Sequence, residues 1–204
     1  MTILLFALLA YLLGSVSFAV VASWIFKLPD PRTYGSKNPG ATNVLRSGKK
    51  VAAILTLLGD AGKGWLAVIF AQYYAPLWNL GDEGVAVAAL AVFLGHVFPI
   101  FLRFQGGKGV ATAVGVLLGL NPWIGLMALT TWLLVAMIWR ISSLSALVAA
   151  ILAPIYAVIM LGFEEKTLAV LLMSLVLVWR HQSNIVNLLE GKEGRIGEKS
   201  STNL

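Results

Sequence analysis

Three short stretches of this chain carry groups suited to anions. GSKNPGATNVLR (Gly35–Arg46) sets Ser36, Asn38, Thr42 and Asn43 among closely spaced glycines and ends on Arg46. Hydroxyls and amides supply neutral hydrogen bonds, Gly35 and Gly40 allow close backbone approach, and a guanidinium offers a planar fork matched to phosphate or carboxylate. GHVFPIFLRFQGGKGVAT (Gly95–Thr112) surrounds Lys108 with Gly106, Gly107 and Gly109 directly ahead of an apolar segment. Free N–H groups, the positive end of a helix dipole and one ammonium can converge there on one anion. WRHQSNIVNLLEGKE (Trp179–Glu193) adds His181 and Asn184, three apart and therefore on one face if the segment is helical.

Each stretch also has a plainer reading. Thr42 or Asn43 could cap a short helix, Lys108 could reach from a tight glycine turn to lipid headgroups, and Arg180 could be a cytoplasmic anchor. His96 reads as a hydrogen-bonded packing residue, Asp60 and Lys63 as an i,i+3 ion pair, and Ser142 and Ser143 as caps. The glycine spacing around Lys108 is not GxxxxGK[ST], so nucleotide hydrolysis is excluded. Two distant His and no carboxylate cluster beside them make a poor metal-ligand set, so no metal and no cofactor is expected. With no Cys, disulfides and thiol catalysis are excluded as well.

The elements that must position these groups are apolar. Of 204 residues, 59% are hydrophobic and 12% charged, with mean hydropathy +0.86, which is the balance of a polytopic membrane protein. Uncharged runs cover residues 2–26, 84–102, 109–139, 141–163 and 167–179, and a run at 51–80 is interrupted only by Asp60 and Lys63. The run at 109–139 breaks at Asn121–Pro122 and is too short for two full spans, so Val110–Leu120 is expected to be a short one. The result is an all-α integral membrane fold of seven transmembrane helices. Loop charge orients it: 13 of the 15 Lys and Arg fall in connections 27–50, 103–109 and 140–142 or in the tail from 180 onward. The N-terminus is therefore expected outside and the C-terminus in the cytoplasm. Residues 1–193 form one domain and 194–204 a polar, frayed cytoplasmic tail. The net charge of +6 reflects this asymmetry, and no nucleic-acid motif accompanies it.

All three stretches, together with Ser142 and Ser143, fall on the predicted cytoplasmic face, beside spans able to hold an alkyl chain. In this order on seven spans, GSKNPGATNVLR, GHVFP…GGKGVAT and RHQSNI…GKE resemble the bacterial PlsY family, membrane glycerol-3-phosphate acyltransferases that use acyl phosphate. The resemblance extends from Tyr11 to about Glu193. It implies transfer of a fatty acyl group from acyl phosphate to the 1-hydroxyl of sn-glycerol 3-phosphate, giving lysophosphatidic acid and phosphate for phospholipid biosynthesis. Ser36, Arg46, Lys108, His181 and Asn184 then fall on catalytic positions. Gly40, Ala41, Thr42, Asn43, Gly106, Gly107, Gly109 and Ser143 fall on substrate-binding ones. The location implied is the bacterial cytoplasmic (inner) membrane, and the partners are acyl phosphate, glycerol 3-phosphate, membrane lipids and a soluble enzyme that makes acyl phosphate. Gln105 and Asn187 depart from the family, standing where basic residues are common; Arg103 is placed to compensate. His96 is followed five positions later by Phe101 and His181 by Val186, so the HxxxxD pattern of another acyltransferase class is absent. The rival reading is a transporter of small organic phosphates, for which a midplane site and repeats would be expected.

Overall fold

The computed structural model describes residues 2–197, and the described part is all-α, without a strand. Ten helices follow in order: α1 (Thr2–Ser15), α2 (Phe18–Ile25), α3 (Ala41–Leu45), α4 (Lys50–Tyr74), α5 (Asp82–Val97), α6 (Val110–Leu120), α7 (Pro122–Trp139), α8 (Ser142–Leu161), α9 (Glu165–Arg180) and α10 (Gln182–Leu189). The segments Thr2–Ile25, Lys50–Tyr74, Asp82–Leu102, Pro122–Trp139 and Ser142–Leu161 are each long and apolar enough to cross a membrane. α9 and α10 together form a sixth such segment, bent by 57° at their junction. With 11 residues, α6 rises only about 16 Å and cannot cross alone a hydrocarbon layer of about 30 Å.

Small residues let the helices approach closely, the usual route to packing where lipid competes for apolar contact. α1 crosses α5 where Gly14 lies on the Val92 backbone and Gly95 on the Tyr11 carbonyl, with no room for a methyl at either glycine. α4 and α6 meet the same way through Gly64 and Gly115, against the backbones of Thr112 and Ala61. α7, α8 and α9 pack in sequence, and α9 closes back onto α5. Phe93, Val92, Val116 and Ile124 are fully enclosed at the centre, whereas Leu4, Leu58, Phe70, Met137, Ile151 and Ile159 point outward. Exposed large apolar side chains along whole helices suit a lipid surround rather than water.

Two breaks shape the ends. At Asn121 the chain turns between α6 and α7, and the Asn121 side chain accepts the Trp123 N–H at 2.9 Å while Pro122 opens α7. That is the arrangement expected from Asn-Pro, since proline at N1 needs no hydrogen-bond acceptor. The other break, Val16–Ser17 between α1 and α2, lies inside an uncharged run with no turn signal. Its freed backbone groups are met by α4: Lys63 Nζ donates to the Val16 carbonyl at 2.6 Å, and the Phe18 N–H donates to Asp60 Oδ1 at 3.4 Å. At the far end of the bundle Lys166 pairs with Asp82 at 2.8 Å and lies 3.6 Å from Glu164, tying two short turns together.

Candidate active site

The first loop is held by one buried amide. Asn43, 2% exposed, accepts the Ser36 N–H on Oδ1 at 2.9 Å, while its Nδ2 donates to the carbonyls of Pro31 (2.7 Å) and Tyr34 (3.1 Å). Its hydrogen-bonding capacity is therefore spent on shaping the loop. Gly35 lies at φ +57 with the Asn43 amide where a side chain would project. Gly40, not Thr42 or Asn43, is the N-cap of α3, and no side chain caps that helix. This leaves Ser36, Thr42 and Arg46 exposed on one short loop and helix, with Gly40 and Ala41 half-buried beneath them.

The glycine loop is pressed from inside. Gly106 and Gly107 are buried, and methyls there would overlap the His96 carbonyl and Pro99 in one case and the His96 ring in the other. Gly109 caps α6 at φ +89 against the Phe93 ring. Lys108 is the one residue of Gly106–Gly109 that is not fully buried.

Four connections then meet through side chains. The Lys108 ammonium donates to Asn184 Oδ1; Asn184 Nδ2 and Ser143 Oγ each donate to Glu193 Oε1 at 2.6 Å. Thr42 Oγ1 lies 3.3 Å from Ser142 Oγ, and Arg180 Nη2 donates to the Gly106 carbonyl at 3.1 Å. Ser142 and Ser143 open α8 without capping it, because Ile141 is its N-cap and makes no side-chain bond. His181 is 2% exposed at the joint of α9 and α10, and its Nδ1 lies 2.8 Å from the Leu177 carbonyl. That bond fixes the ring proton on Nδ1 and leaves Nε2 as the acceptor of a neutral imidazole. His181 and Asn184 are thus separated by a bend rather than stacked on one straight helix. Gln105 and Arg103 are exposed beside the glycine loop, Arg103 at φ +51.

Cations dominate here. Burial pushes the Lys108 ammonium below the ordinary lysine range; Glu193 opposes this shift, and Arg180 and Arg46 add to it. Three cations with one carboxylate, itself bound by Asn184 and Ser143, make a place where an added anion is stabilised and restores the ammonium. Glu193 is not singled out by the sequence, where it ends the third motif three residues after a second carboxylate, Glu190. Among the described residues no group of three His, Cys, Asp or Glu stands close enough to hold a metal ion.

An apolar groove adjoins this cluster between α6, α7, α8 and α9, lined among others by Val110, Leu117, Ala146, Ala153, Val170 and Leu177. Val110 is two residues past Lys108, Ala146 three past Ser143, and Leu177 holds the His181 ring. The helices that line the groove therefore carry residues of the polar cluster at or just beyond their ends. The tail begins tethered: the Ile196 N–H donates to the Arg140 carbonyl at 2.6 Å and Arg140 Nη2 donates to the Ile196 carbonyl at 3.3 Å. Residues 198–204 of the expected tail lie outside the described residues.

The solved structure of PlsY (YgiH), an integral membrane glycerol 3-phosphate acyltransferase, in its glycerol 3-phosphate form superposes with a TM-score of 0.88 at 32% identity, covering 97% of this chain and 96% of that one. Its lysophosphatidic acid form gives 0.87 at 31% identity over the same shares. The glycerol-3-phosphate acyltransferase of Nitrosospira multiformis is 67% identical over 99% of this chain and 100% of its own, and that of Nitrosomonas eutropha 66% identical over 94% and 96%. Residues 4–191 match the glycerol-3-phosphate acyltransferase family model, and this integral membrane chain belongs to that family.

Proposed function

We propose that this protein transfers a fatty acyl group from acyl phosphate to the 1-hydroxyl of sn-glycerol 3-phosphate, forming lysophosphatidic acid and inorganic phosphate. The observation that carries the reading is a three-cation anion site at the ends of helices that enclose an apolar groove, a pairing that suits a substrate having a phosphate head and an alkyl tail. Acyl phosphate is a mixed anhydride with a good leaving group, so catalysis needs positioning and charge stabilisation rather than a covalent intermediate. The glycerol hydroxyl oxygen attacks the acyl carbonyl carbon, the carbon–oxygen bond to phosphate breaks, and the donor's own phosphate takes the hydroxyl proton. Lys108 and the N–H groups of the glycine loop other than that of Gly107, which donates to the His96 carbonyl, hold one phosphate with Thr42. Arg46, Ser36, His181 and Asn184 orient the glycerol phosphate, while Asn43, Gly40 and Ala41 keep the loop in shape. Ser143 acts through Glu193, to which it donates.

The seven-helix reading counts α1 with α2 as one span, α6 as a short one, and α4, α5, α7, α8 and α9 as the rest. The concentration of Lys and Arg at the site's end supports a cytoplasmic active site in the bacterial inner membrane, with the N-terminus outside. Residues 1–193 then act as one domain. Substrate arrives from the cytoplasm, where a soluble enzyme supplies the acyl phosphate. The transporter reading gains nothing from a site at one end of the bundle.

The test is product formation by purified protein in detergent, given glycerol 3-phosphate with palmitoyl phosphate or palmitoyl-CoA and no added metal. Lysophosphatidic acid from the acyl phosphate alone is expected. Turnover with the thioester instead would sink the donor assignment, and silence from folded protein with both donors would sink the reaction.

A further inference from the structure

Asp60, Lys63 and His96 are buried at 1%, 2% and 7% exposure, and the proposed chemistry uses none of them. Ionisable groups at such depth in a membrane protein are costly unless paired, and they tend to serve a purpose. Here the Asp60 carboxylate stands 2.9 Å from Lys63 Nζ and 3.5 Å from His96 Nδ1. Lys63 donates onward to the Val16 carbonyl, in the break between α1 and α2. On the other side, the His96 ring lies against Gly107 where a methyl would be, and the Gly107 N–H donates to the His96 carbonyl at 3.2 Å. Thr112, in the first turn of α6, donates its hydroxyl to the Asp60 carbonyl at 3.0 Å, and Gly64 lies against the Thr112 backbone. The glycine loop and the start of the helix behind it are thus fastened at points on either side of Lys108 to one buried stretch of α4 and to His96.

We infer that Asp60, Lys63 and His96 form a positioning network that sets the Gly106–Gly109 loop, and with it Lys108, from the membrane side without touching substrate. This explains why Gly107 must be glycine although its φ is not positive: the space for its side chain is filled by an imidazole held to a carboxylate. It also gives the ion pair more than the role of neutralising itself. The inference rests on the proposed reaction for its kinetic test, and its geometric part stands on binding alone.

The experiment compares wild type, Gly107→Ala, His96→Asn and the double variant as full-length protein in detergent. Asparagine keeps an amide where Nδ1 faces Asp60 and removes the ring edge that meets Gly107. kcat and KM for glycerol 3-phosphate, its affinity by calorimetry, and melting temperature are recorded for each. Gly107→Ala is expected to lose on the order of a hundredfold in kcat/KM, as for a displaced catalytic group. Adding His96→Asn is expected to restore about tenfold, a coupling ordinary for touching residues. Additive effects would overturn the inference, because a ring that merely fills space elsewhere cannot rescue Gly107→Ala. If His96→Asn does not fold, Asp60→Asn/Lys63→Met removes both charges together. Weakened glycerol 3-phosphate binding at an unchanged melting temperature supports the network, and wild-type binding and turnover overturn it. Wild-type protein that binds glycerol 3-phosphate yet forms no lysophosphatidic acid would sink the reaction while leaving the network to be judged by affinity.

Discussion

Lys63 and Lys108 are both drawn into the fold, and their ammonium groups meet opposite surroundings. Lys63 has a carboxylate at 2.9 Å and a freed carbonyl at 2.6 Å, and both it and Asp60 are buried. Lys108 faces a neutral amide oxygen, shares its space with Arg46 and Arg180, and finds its carboxylate, Glu193, bound by two other donors. One lysine completes a closed set of partners, and the other has capacity left for an anion. The lesson is that burial alone does not separate a supporting charge from a working one; the difference lies in whether the partners already present exhaust it.

Swapping each lysine for methionine breaks the comparison most sharply. Lys108→Met is expected to lower kcat by about a hundredfold or more, the effect of removing one charge-stabilising donor, while melting temperature holds or rises. Lys63→Met is expected to cost about 3–5 kcal/mol of stability because it strands the buried Asp60 carboxylate, visible as a lower melting temperature. If both variants lost stability alike, the distinction would collapse. Arg46→Lys comes next: it keeps charge but loses the fork, and a lost charge-assisted hydrogen bond of about 1.5–3 kcal/mol predicts roughly a tenfold to hundredfold fall in kcat/KM for glycerol 3-phosphate.

Effects on the groove should be smaller. Ala150 lines it from α8, and Ala150→Leu is expected to shift preference toward shorter acyl phosphates by several-fold, at a packing cost of about 1–3 kcal/mol. Parallel assays with lauroyl and palmitoyl phosphate read this out, and an unchanged ratio would remove the groove from the donor site. The smallest expected effect is on pH dependence. Lys108 acts as an ammonium, and burial holds its pKa below the ordinary lysine range, so kcat/KM should fall on the alkaline side earlier than for an exposed lysine. Glu193 raises that pKa, so Glu193→Gln should move the limb to lower pH still. Bound phosphate should move the limb in kcat upward relative to kcat/KM.

Much of this was legible in the residues. Asn121–Pro122 marked a helix break, the shortness of α6 followed from the length of its run, and Gly109 ahead of Val110 marked a helix start. The convergence of four connections followed from counting spans and charges. Local signals failed where long-range contacts decide. Nothing in LLGSVSF announces the break at Val16–Ser17, since its backbone groups are satisfied by side chains more than forty positions away. Asn43 looked like an open ligand because its amide type is right for one, yet three backbone partners occupy it. Glu193 ends the third motif without a role that its sequence position announces, whereas in the fold it accepts from both Asn184 and Ser143.

The gap between α1 and α2 has a consequence for how the chain is made. Alone in lipid, the segment of α1 and α2 would hold polar backbone groups without partners at its unwound turn, each costing several kcal/mol. The second span, emerging alone, carries an aspartate and a lysine that also resist insertion. Each supplies what the other lacks, so insertion of the two as a hairpin would meet both needs at once and would assemble the support on which the glycine loop rests.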